Sequence, residues 1–97
     1  MRLYETREEA AQGCRASAKT AEHYMKAAER FAREGRKTSA WNMADTAKMA
    51  ADCAMQAHEA LWDLTNGKLT DEEFEAFEQA EIAQTNARKA ARAAANC

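Results

Sequence analysis

The chain has no proline and no valine, a single isoleucine and only three glycines. With almost no β-branched aliphatic residues to line a strand, and no proline to break a helical ladder, a sheet is disfavoured and helix is favoured throughout. No apolar run approaches the roughly 20 residues that span a bilayer. The opening stretch MRLYETREEA has an early Arg but no apolar core, so it does not read as a signal peptide. An excess of basic charge is also lacking: a formal net charge of -2 excludes a generally basic nucleic-acid binder and leaves only a local patch to consider. Cysteine is sparse, odd in number and widely spaced. Cys14, Cys53 and Cys97 therefore suit a reducing cytoplasm better than a disulfide framework.

What is present is alanine at helical spacing. Ninety-seven residues fit one small domain, residues 1–97, and the expected fold is all-α: an up-down-up antiparallel three-helix bundle with Ala-rich heptad seams. The predicted helices cover about 7–34, 40–65 and 71–95. Thr6 and Glu9 offer a capping box before the first helix, which Gly35 ends. Gly13 lies inside it and should cost about 1 kcal/mol relative to Ala. Ser39 is the expected N-cap of helix 2, and Asn66-Gly67 its stop. Thr70 and Glu73 form the clearest capping box, with Leu69 placed to staple onto Phe74.

The seams predict the pairing. Ala11, Cys14, Ala18, Ala21, Met25, Ala28 and Ala32 lie opposite Leu64, Leu61, Ala57, Ala54, Ala50, Ala47 and Met43, symmetric about the Lys37-Thr38 bond. Ala76, Ala80, Ala83, Ala87, Ala90 and Ala94 pair with the helix 2 seam about the Lys68-Leu69 bond. Both centres fall in predicted turns, so seams and punctuation agree. The flanks place helix 1 on one side of helix 2 and helix 3 on the other, with His58 beside Phe77 and Trp62 beside Phe74. Asp45, Asp52 and Glu59 form a solvated acidic line.

Candidate chemistry is thin. His23 and His58 have no acidic or Cys partner at a repeating helical spacing, and the Glu-x-x-His pair of di-iron bundles is missing, so neither metal nor cofactor is expected. No nucleophile–base or paired-carboxylate arrangement emerges, which argues against an enzyme. Residues 69–77, LTDEEFEAF, are similar to the opening helix phrase of EF-hand proteins. The residues after Asp63 (Leu64, Thr65, Asn66, Gly67) do not supply a calcium loop, and the capping box accounts for the phrase.

Surface apolar residues are more informative. Trp41, Met55 and Trp62 share one line of helix 2, Met49 interrupts its polar face, and Ile82 sits outward on helix 3. These five are the candidate partner-binding residues, serving a protein partner or self-association. Arg30, Arg33, Arg36 and Lys37 make a basic cluster that is a candidate site for a small anionic ligand. The expected function is a non-enzymatic protein–protein interaction module, a small cytoplasmic helical adaptor or inhibitor of the kind that includes phage-encoded blockers of host defence or regulatory complexes. The alternative is an oligomeric bundle that binds or sequesters an anionic ligand such as a nucleotide.

Overall fold

The computed structural model describes residues 3–97; Met1 and Arg2, the early cation weighed above, lie outside them. Three helices form an up-down-up bundle: α1 over Arg7–Arg33, α2 over Lys37–Thr65 and α3 over Asp71–Ala95. The bundle is 45 × 27 × 15 Å.

Each boundary has a local cause. At the start of α1 the Thr6 hydroxyl accepts from the Glu9 N–H at 3.1 Å, while the Glu9 carboxylate reaches back one residue further than a capping box requires, to the Glu5 N–H. At its end, the Arg36 N–H bonds to the Phe31 carbonyl and the Gly35 N–H to Ala32, a Schellman closure with Gly35 at φ 73°. α2 starts at Lys37, three residues earlier than expected from Ser39. The Schellman closure has already turned the chain, so the Ala40 N–H reaches the Arg36 carbonyl at 2.9 Å. Ser39 lies inside the helix, and the α2 N-terminus has no side-chain cap. Asn66 takes the left-handed position that closes α2, with φ 53°.

The Thr70–Glu73 capping box at α3 is complete in both directions. Glu73 also receives both ends of the Arg7 guanidinium, Nε and Nη2 each at 2.6 Å, and Arg7 Nη2 donates to the Lys68 carbonyl. One carboxylate thus ties the start of α1, the second turn and the start of α3. The Arg7 guanidinium, then the Thr70 N–H, pull its pKa down to about 2.

The seams face inward. The buried apolar set is alanine throughout apart from Cys14, Met25 and Leu61. All six α3 seam alanines are buried; in α1 and α2 only Ala18, Ala32, Met43 and Leu64 are partly exposed. Besides flanking α2, α1 and α3 pack directly against each other, a contact the pairwise seams leave unaddressed. Arg7–Glu73 at one pole and the Cys97 thiol over the Ala32 carbonyl at the other show the two running parallel at a nearly constant offset. With side chains this small, three axes close into a triangle.

Gly13 does not interrupt α1. The Tyr4 ring lies where its Cβ would be, 2.7 Å away, so the glycine is the seat for a strap formed by the residues before α1.

Candidate interaction surface

Residues 55, 58, 59 and 62 fall at i, i+3, i+4 and i+7, so α2 presents them along one strip. With Phe77 of α3 they line an open hollow of about 480 Å³. His58 stacks on Phe77, with ring centroids 3.5 Å apart and planes at 21°. Trp62 leans on the same ring at 5.8 Å. The expected Trp62–Phe74 pair is replaced by this arrangement. The Phe77 ring stands within reach of both His58 and Trp62. Phe74 is left 51% exposed. The Trp62 indole also covers the second turn: a Cβ on Gly67 would meet it at 2.9 Å, and Gly67 is left-handed with φ 77°.

His58 Nε2 is buried with no hydrogen-bond partner among the described residues; the Glu81 carboxylate is 3.8 Å away. Burial holds the His58 pKa below the ordinary imidazole value, against the opposing pull of Glu81 and Glu59. The imidazole therefore serves as a neutral aromatic wall of the hollow.

The same face continues toward the other pole. There Trp41, Ala44, Lys48 and Ala51 of α2 and Gln84 and Arg88 of α3 line a second open hollow of about 390 Å³. The five candidate partner residues do not all converge. Trp41, Met55 and Trp62 border the α2–α3 crevice, whereas Ile82 lines a depression between α1 and α3 with Ala18 and Lys19. Met49, 67% exposed, lies on another line of α2. Met55 is half-buried as a wall of the hollow, rather than uncovered.

The basic cluster is partly committed to its own turn. The guanidinium groups of Arg30 and Arg36 lie 5.0 and 4.6 Å from the Phe31 ring centroid, and Arg36 is 3.7 Å from Glu34. Arg33 and Lys37 are exposed beside the uncapped start of α2.

All three cysteines are free; Cys14 is buried, and burial pushes its thiol up to about 11. Burial also raises the Tyr4 hydroxyl, with smaller contributions from Cys53 and Cys14. His23 is exposed, edge-on to Tyr24. Among the described residues no three His, Cys, Asp or Glu side chains group as metal ligands, and no helix is long and apolar enough to cross a membrane.

Sequence reasoning placed His58 and Phe77 side by side but read them as packing, and so missed them as walls of a hollow. Their spacing from Met55 and Trp62 was the available signal. Tyr4 was missed altogether, because a strap over a helical glycine has no periodicity. Comparison with family models, with curated proteins and with solved structures finds no match, so the functional reading rests on the residues and their geometry.

Proposed function

We propose that this chain is a non-enzymatic protein–protein interaction module, a small helical adaptor or inhibitor that docks through the outer face of α2 and α3. One observation carries the reading. The interior is built of alanine, while Trp41 and Trp62 stand 38% and 51% exposed at the two ends of a single face that also holds Met55, His58 and Phe77. Large aromatic side chains fixed on helices make good anchors, because they bury much area and lose little freedom on binding, and a flexible thioether beside them can adapt to a partner's shape. Free cysteines, one of them buried, suit a reducing cytoplasm as the place of action.

The test compares wild type with Trp41→Ala and Met55→Ala in affinity capture from the native host and in solution mass by light scattering. The proposal expects a specific partner, or a specific oligomer, that is lost in the variants while the helical content is unchanged. Retention of every partner and of the oligomeric state in both variants would overturn it.

A second reading, capture of a small anion such as a nucleotide, is favoured by one feature. The N-terminus of α2 lacks a side-chain cap and an acidic first turn, and it starts beside Arg33, Arg36 and Lys37. A ligand acting there would raise the melting temperature at millimolar nucleotide, and an unchanged melting temperature would eliminate this reading.

A further inference from the structure

The helical segments around the hollow at Met55, His58, Trp62 and Phe77 carry charge of one sign, with Glu59 and Glu81 at its edge and Asp52 shared with the second hollow. Residues 49–65 of α2 and 71–87 of α3 contain no Lys or Arg. They carry Asp52, Glu59 and Asp63 on α2, and Asp71, Glu72, Glu75, Glu78 and Glu81 on α3, all exposed. Glu59 is part of the wall itself, and the Glu81 carboxylate stands 3.8 Å from His58 Nε2 on the other side. Two cations stand at this pole: Arg7, which is held by Glu73, and Lys68, exposed in the turn that joins the two helices. Lys48, Arg88, Lys89 and Arg92 belong to the opposite half of the face. The near-neutral net charge therefore conceals a segregated surface, with an apolar hollow inside a half whose helical segments are anionic and whose one exposed cation, among the described residues, is Lys68 in the turn.

From this complementarity we infer that the hollow seats a large apolar side chain presented by a cationic amphipathic helix. This rests on the docking role proposed above and adds the class of partner. The apolar walls take the anchor, and the crevice between two antiparallel helices has the shape that receives a third. Unpaired carboxylates on both sides favour Lys or Arg flanking the anchor and repel acidic partners, which sets selectivity and speeds encounter. His58 does not offset them, because it is neutral at physiological pH.

The experiment uses the full chain and three designed, fluorescently labelled helical peptides: Leu along one face with Lys flanks, the same Leu pattern with Glu flanks, and the Lys peptide with Leu replaced by Ser. Anisotropy at low and physiological salt reads binding. The Lys/Leu peptide is expected to bind one to one and the other two at least about tenfold more weakly. Glu59→Lys/Glu81→Lys and, separately, Trp62→Ala should each weaken the Lys/Leu peptide by about tenfold or more. Glu8→Lys/Glu22→Lys, which makes the same charge change on α1, should leave binding within about twofold. If Trp62→Ala loses stability through its cover on Gly67, the Glu59/Glu81 pair on exposed carboxylates still decides.

Equal binding of the Glu/Leu peptide, with Trp62 still required, would overturn the charge class and leave the docking face standing. Equal weakening by both charge pairs, or no binding, would overturn the cationic helix. Indifference to Trp62→Ala in a folded protein would overturn the face as well. A dimer that Trp62→Ala dissolves would replace the cationic helix with a second copy of the chain.

Discussion

The interior and the α2–α3 face invert the usual distribution of side-chain size. Inside, alanines meet alanines, and Leu61 and Cys14 are the largest fully buried side chains. Outside, both tryptophans and Phe74 are exposed, and every other aromatic is at least partly so. A core of alanine yields little from each burial, about 0.8 kcal/mol per methyl-sized group, so the bundle relies on helix propensity and well-made ends. Apolar residues placed on one face instead of in such a core are not needed to define the fold. Their location is what the docking role proposed above requires.

The sharpest break of this comparison lies between neighbours in sequence. Leu61→Ala should cost about 2–5 kcal/mol in urea unfolding, because among the described residues Leu61 is the one large aliphatic side chain fully inside. Trp62→Ala should cost no more than about 1 kcal/mol. Equal losses would mean that the outer face holds the fold together too.

Next comes the polar tie at the pole. Glu73→Gln should lower stability by about 1–3 kcal/mol, since Arg7 loses its ionised acceptor while the Gln side-chain oxygen can still accept from the Thr70 N–H. The sign with pH follows from its depressed pKa. The contribution is present above the ordinary carboxylate value of 4.5 and is lost as pH falls from there toward about 2. Urea midpoints of wild type and variant should therefore converge across that window.

Gly13 gives a smaller and more discriminating effect. Propensity alone predicts that Gly13→Ala stabilises α1 by about 1 kcal/mol. With the Tyr4 ring in place the substitution should give no gain, and the gain should appear only in a Tyr4→Ala background. A double-mutant cycle by thermal or urea unfolding measures the difference.

The smallest expected effect is at His58. Its folded pKa is lowered, so the unfolded chain binds the proton first, and stability falls as pH drops below 6.5 until the folded imidazole titrates as well. His58→Phe keeps the stack on Phe77 and should flatten this segment of the pH–stability curve while leaving the Glu73 segment intact.

The bundle was legible because its signals are periodic or local. The alanine repeats gave three faces, and the Gly35, Asn66-Gly67 and Thr70–Glu73 signals gave two turns. Where two local signals competed, the weaker one misled: Ser39 is a good N-cap residue, but the closure at Gly35 had already set the chain on a helical path by Lys37. The surface was half legible. Helical spacing put Trp41, Met55 and Trp62 on one line, yet the contact of the Phe77 ring with both His58 and Trp62, and therefore the hollow, depends on side-chain geometry that spacing does not carry. The direct α1–α3 packing is a consequence of small side chains acting on all three axes together, which pairwise seams do not express.

Hydrogen exchange on the free protein and on its complex with the Lys/Leu peptide tests the division between interior and face most directly. The prediction is that amides around Ala54, Leu61, Ala80 and Ala83 exchange slowest in both states, and that added protection is confined to residues 55–62 and 74–84. Protection centred on α1 or on the turn at residues 30–37, with none at 55–62, would contradict it.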